Sequence, residues 1–96
     1  MEKTELQENI ERIADHFGKE SQVIVAIEEM SELMQALAKD SRGIGNMANI
    51  VEEIADVEIM LRQLTHLFSI QKEALEKEIR KKVARTLFRI EYGNKK

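Results

Sequence analysis

Two short acidic runs hold the side chains best suited to chemistry: Glu28, Glu29 and Glu32 in the first, Glu52, Glu53 and Asp56 in the second. Helical residues advance by about 100° each, so Glu29 and Glu32 share a face with Val25 and Ala36, and Glu53 and Asp56 share one with Met60. On that wheel Glu53 falls inside an apolar arc, between the directions of Met60 and Leu64, and Asp56 sits at its edge. A carboxylate so placed is costly unless something neutralises it. No lysine or arginine falls on the same two faces. Four negative charges brought together repel strongly, so the pattern calls for a bound cation. Ligands that are all oxygen suit a hard ion, Mg²⁺ with Mn²⁺ as a substitute, rather than zinc.

Other chemistries find less support. A di-iron centre in a helical bundle needs Glu-x-x-His on paired helices. The residues three before His16 and His66 are Ile13 and Gln63, so both histidines are expected at the surface or the bundle edge. With no cysteine there is no thiolate nucleophile, thiolate metal site or disulfide.

The elements that must position these groups are helices. Proline is absent, only four residues are glycine and four are aromatic, which leaves too little material for a β fold. The spacing predicts a first helix from about Thr4 to Phe17, with Thr4 and Gln7 resembling a capping box and Gly18 as the stop. A second spans about Lys19 to Asp40 on the stripe Val23, Ala26, Met30, Leu33 and Leu37. The polar, glycine-containing segment 41–46 reads as a loop. A third helix, about Met47 to Phe68, carries Ile50, Ile54, Val57, Leu61, Leu64 and Phe68. A fourth, N-capped by Ser69 and closed by Gly93-Asn94, carries Leu75, Ile79, Val83, Leu87 and Ile90. Short connections predict antiparallel neighbours, hence an all-α four-helix bundle over residues 1–96 with a flexible tail at 93–96. The apolar arcs on helices two and three are too wide for one small chain to cover, so a homo-oligomer is expected.

Composition narrows the remaining classes. The chain has 96 residues, 43% of them hydrophobic and 34% charged, with a net charge of −3. Residues 1–69 hold six Lys/Arg against fourteen Asp/Glu, and residues 70–96 hold nine against four, so an acidic region precedes a basic one. The longest apolar run, Val23 to Ile27, is far too short to span a membrane, and no basic-then-apolar leader opens the chain, so a cytoplasmic protein is expected. The overall charge is negative and the basic helix lacks interleaved aromatics, which argues against nucleic acid as a partner.

Glu28-Glu29-Met30-Ser31-Glu32, twenty residues, then Glu53-Ile54-Ala55-Asp56 resembles the Glu-Glu-x-x-Glu … Glu-x-x-Asp signature of the MazG-like nucleotide pyrophosphohydrolases, within the all-α NTP pyrophosphatase superfamily. The similarity runs from about Val23 to Leu64 and continues more weakly into Lys82-Val83-Ala84-Arg85. The resemblance implies Mg²⁺-dependent hydrolysis of a nucleoside triphosphate between its α and β phosphates, giving monophosphate and pyrophosphate. It implies metal ligation by Glu29, Glu32, Glu53 and Asp56, a secondary role for Glu28, and a homodimer or homotetramer of four-helix units.

Such a reaction needs cations on the phosphate oxygens and an oriented water, and no covalent nucleophile. Lys82, Arg85 and Arg89 lie on one flank of the fourth helix and could clamp phosphates, with Lys39 and Arg42 near the loop. Ordinary solvated cations are the alternative. Phosphoribosyl-ATP pyrophosphatase, of the same superfamily, is a second reading. In that branch a histidine is expected four residues after the aspartate, where this chain has Met60. A helical module that only binds or oligomerises is a third.

Overall fold

The computed structural model describes residues 3–93, which form four helices and no strand: α1 (Glu5–Phe17), α2 (Lys19–Ser41), α3 (Met47–Leu67) and α4 (Lys72–Glu91). None of the helices is long and apolar enough to cross a membrane. The tail expected at 93–96 lies, after Gly93, outside the described residues.

Local signals act much as the sequence suggests. Thr4 Oγ1 accepts from the Gln7 backbone N–H at 3.0 Å and starts α1. The reciprocal half of the capping box is missing, because the Gln7 side chain donates to Glu11 Oε2 at 2.9 Å instead. Asn46 caps α3 by accepting from the Asn49 N–H at 3.1 Å. Gly18 alone joins α1 to α2, with φ 89° and ψ 161°, a conformation that a side chain would oppose.

The two remaining junctions share one backbone geometry. After α2, Gly43 donates to the Asp40 carbonyl at 2.9 Å and Ile44 to that of Lys39 at 3.1 Å. After α3, Ser69 donates to His66 at 3.0 Å and Ile70 to Thr65 at 2.9 Å. Both are Schellman closures with the key residue in the left-handed region, Gly43 at φ 79° and Ser69 at φ 54°. Ser69 therefore ends α3 rather than capping α4, whose N-cap is Gln71. The serine spacing that suggested an N-cap is instead spent on the preceding helix end.

Packing departs further from expectation. α2 and α3 form an antiparallel pair, and α1 packs across both. α4 makes no more than a marginal contact with any other helix and buries no residue. One chain therefore holds three packed helices and a fourth that stands off. The turn held by the two bonds after α3 aims α4 away from the other three. The Cα radius of gyration is 16.5 Å, against about 12.5 Å for a compact chain of this length.

The buried apolar side chains are Ile10, Ala14, Ala26, Ala36 and Met60. Most of the stripes read from the sequence are turned partly outward: Ile13, Phe17, Met30, Leu37, Ile54, Leu61 and Phe68 are exposed, as is every stripe residue of α4. What the α2–α3 contact buries includes an amide pair where the start of α2 meets the end of α3, Gln22 Nε2 donating to Gln63 Oε1 at 2.8 Å. On the outside of α3, His66 ties down α1, with Nε2 2.8 Å from Asp15 Oδ1 and Nδ1 3.5 Å from Glu11 Oε1.

A buried amide deprived of its partner costs about 1–3 kcal/mol, whereas replacing both partners with apolar groups of similar shape is nearly neutral. Gln63→Met should therefore destabilise the fold by that amount in urea unfolding, and Gln22→Met/Gln63→Met should recover most of it. A double variant as unstable as the sum of the two single ones would show that the amide bond itself is not the tie.

Candidate metal centre

The antiparallel register that pairs Gln22 with Gln63 also brings the middle of α2 against the first half of α3. Glu29, one turn beyond Val25, meets Glu53 and Asp56, which lie three residues apart on α3. One carboxylate oxygen from each of Glu29, Glu53 and Asp56 falls within 4.8 Å of the other two. Opposite ligands of an octahedral Mg²⁺ stand about 4.2 Å apart, so all three could reach one ion with small side-chain movements. Glu29 and Glu53 are half-buried and Asp56 is exposed, so the cluster opens outward from the helix contact.

Glu53 sits where the helical wheel put it, beside buried Met60 and half-buried Leu64. Its Oε1 is buried and has no hydrogen-bond partner. A buried, unpartnered carboxylate oxygen is costly and rare. Among the described residues none of the four expected ligands forms an ion pair. Burial pushes the Glu53 carboxyl above the ordinary range, and the charges of Glu32, Asp56 and Glu52 push it the same way. Glu29 is raised first by burial and then by Glu32, Asp56 and Glu53. Every resolved influence on these two groups raises them, so among the described residues nothing neutralises the cluster.

The other candidates divide. Glu32 is exposed and outside the convergent three, yet its charge acts on both Glu29 and Glu53. Glu28 is exposed on α2. Lys39 and Arg42 are exposed at the C-terminal end of α2. Lys82, Arg85 and Arg89 lie on α4, and because α4 does not pack on α2 or α3, one chain does not bring them to the carboxylates. The surface depressions along α4 (Lys72, Glu73, Glu76, Lys77, Arg80) and α1 (Asn9, Arg12, Ile13, His16, Phe17) are each lined by one helix and border none of the four carboxylates. His66 was expected only to sit at an edge. Its link to α1 was not visible because Asp15 and Glu11 are separated from it by about fifty residues.

Fold and site together define an all-α protein with three carboxylates converging where its two central helices meet. Compared with models of known families, with curated proteins and with solved structures, the chain has no match.

Both raised carboxyls bind a proton more tightly in the folded chain than in the unfolded one. Their contribution favours the metal-free fold at low pH and is lost as pH rises from the ordinary glutamate value of 4.5 through their raised values. Glu11 works in the opposite sense, since hydrogen bonds from Lys3 and Gln7 hold its carboxyl low. A comparison of variants separates the two. In EDTA at pH 7, Glu53→Gln should have a higher Tm than the parent, and the difference should shrink toward pH 4.5. Mg²⁺ should raise the parent's Tm and leave the variant's nearly unchanged. A lower Tm for the variant in EDTA at pH 7 would make Glu53 a structural residue.

Proposed function

We propose that this chain is a divalent-cation-dependent nucleoside triphosphate pyrophosphohydrolase, cleaving between the α and β phosphates to give NMP or dNMP and pyrophosphate. The observation that carries the reading is the buried, unpartnered Oε1 of Glu53 beside the convergent oxygens of Glu29 and Asp56. A carboxylate oxygen in that position lacks a positive partner, and an all-oxygen set matches Mg²⁺ or Mn²⁺. The MazG-like signature over Glu28–Asp56 supports the same assignment and supplies the substrate class.

In this reading Glu29, Glu53 and Asp56 hold the ion, and Glu32 adds negative charge at the rim or ligates after a rotamer change. Mg²⁺ when bound would neutralise phosphate charge and lower the pKa of an associated water. The chain's own contribution is placement and proton acceptance. α2 and α3 fix the carboxylates at a rigid helix contact, and a carboxylate with a free oxygen accepts a proton from the attacking water. Water adds to phosphorus, the α–β bridging oxygen departs with the other phosphate, and NTP plus water becomes NMP plus pyrophosphate. No covalent intermediate is needed.

The same reading takes the chain to work as a homodimer or homotetramer on cytoplasmic nucleotides, with no nucleic-acid partner. Its support is the large apolar area left uncovered on α2, α3 and α4.

The test is pyrophosphate release from ribo- and deoxynucleoside triphosphates in Mg²⁺, Mn²⁺ and EDTA. Release is expected with either cation, to vanish in EDTA, and to be abolished by Glu53→Gln in a folded protein. No release from any nucleotide by folded protein with metal present would overturn the reading.

A further inference from the structure

The α2–α3 hairpin is held differently at its two ends. At one end Ser41 and Met47 are joined through the 42–46 loop. At the other, where α2 starts and α3 finishes, no loop joins the two helices, and the Gln22–Gln63 amide bond spans them. Among the described residues no other side-chain hydrogen bond connects α2 with α3. α1 packs over both helices, but its polar ties through His66 reach α3 alone.

The carboxylates lie between these ends. Glu29 follows Gln22 by seven residues, and Asp56 precedes Gln63 by seven. Equal steps in opposite chain directions stay level in an antiparallel pair, and seven residues return to nearly the same helix face. The amide bond therefore fixes Glu29 opposite Asp56, about 10 Å farther along the hairpin. Ten residues from the same pair, Glu32 comes level with Glu53, and the charge of Glu32 is the largest acting on Glu53. Two polar contacts and one register agree.

Repulsion among the carboxylates pushes α2 and α3 apart at that level. A hairpin held only by its loop opens most at its free end. The fully buried apolar residues of the two helices, Ala26, Ala36 and Met60, resist this weakly, because apolar contacts have no fixed direction and give way by sliding. An amide bond has a set length and one partner. Gln22 is 5% exposed and Gln63 2%, so a small opening breaks their bond before water can replace it. Polar pairs buried between helices fix register in this way.

We propose that Gln22 and Gln63 are the positioning residues of the carboxylate cluster: they close the free end of the α2–α3 hairpin against repulsion and so keep Glu29, Glu53 and Asp56 near enough to share one divalent cation. The cation part rests on the reading of the cluster given above. The closure does not. Coupling of this kind is reciprocal, so a cation that draws the carboxylates together also strengthens the amide pair.

The first test is Mn²⁺ binding at pH 7, followed by the EPR signal of free Mn²⁺. Gln22→Met/Gln63→Met, whose stability in urea should be close to the parent's, is expected to bind Mn²⁺ about tenfold more weakly or worse, the loss usual when a group supporting metal ligands is removed. A purely structural pair would regain affinity together with stability, so parental affinity in the double variant would overturn the proposal. Mg²⁺ should also slow exchange of the Gln63 side-chain amide protons in the parent and leave them unchanged in Glu53→Gln. Equal exchange with and without Mg²⁺ in a parent that binds the ion would overturn it too.

A metal-free measurement separates the closure from the cation reading. The chain has no cysteine, so nitroxides at Ser31→Cys and Ala55→Cys, both exposed, report the gap between α2 and α3. In EDTA the distance should lengthen and broaden in the double Met variant. An unchanged distance would overturn the closure. A longer distance beside a parent that binds no Mn²⁺ would instead reject the cation reading and with it the positioning role.

Discussion

Carboxylates forced together at a helix contact set the terms for the rest of this structure. Glu29, Glu53 and Asp56 converge where α2 meets α3, and one oxygen of Glu53 is out of reach of both water and any donor. Left uncompensated, that arrangement opposes the packing it sits in, since burial and mutual repulsion both disfavour the charged forms. The fold must therefore tolerate the cost through contacts elsewhere.

The contacts that tolerate it are modest. Small side chains, Ala14, Ala26 and Ala36, let the helices approach closely, while the Gln22–Gln63 amide bond sets the register of α2 against α3. A slip of one helical turn would separate that pair and also part Glu29 from Asp56, so one polar contact and the acidic cluster depend on the same alignment. At the other edge, His66 lies against Asp15 and Glu11 and joins α3 to α1, whose Ile10 and Ala14 are buried in the same contact, while Lys3 pairs with Glu11 at 2.6 Å within the α1 segment itself. Lys19 over the Phe68 ring, 4.2 Å from its centre, links the start of α2 to the end of α3.

Against this thin core stands a surface with much of its apolar area uncovered. In a soluble monomer such area is a liability, and in a subunit it is the interface. Charge is divided as well, between an acidic α2–α3 pair and a basic α4.

Helix existence, approximate ends and caps were legible in the sequence, because apolar spacing, Thr4, Gly18 and the glycine pair at 43 and 45 act within a few residues of their position. So was the placement of Glu53 within an apolar arc, a property of one helix alone. The carboxylate cluster could be inferred because two i, i+3 pairs on consecutive antiparallel helices have few ways to miss each other. The rest depended on distances between segments. Ser69 could have capped α4 or closed α3, and the Schellman bonds to His66 and Thr65 decided for the latter. The wide stripes of α2, α3 and α4 record which side chains avoid water without recording what covers them, so periodicity could not tell a core from a face left open. Only the tertiary arrangement made Gln22 and Gln63 partners, brought three of the four carboxylates to one point, and sent α4 outward. Spacing along a helix is fixed by its geometry, whereas meetings between helices depend on a register and a turn that no single helix contains.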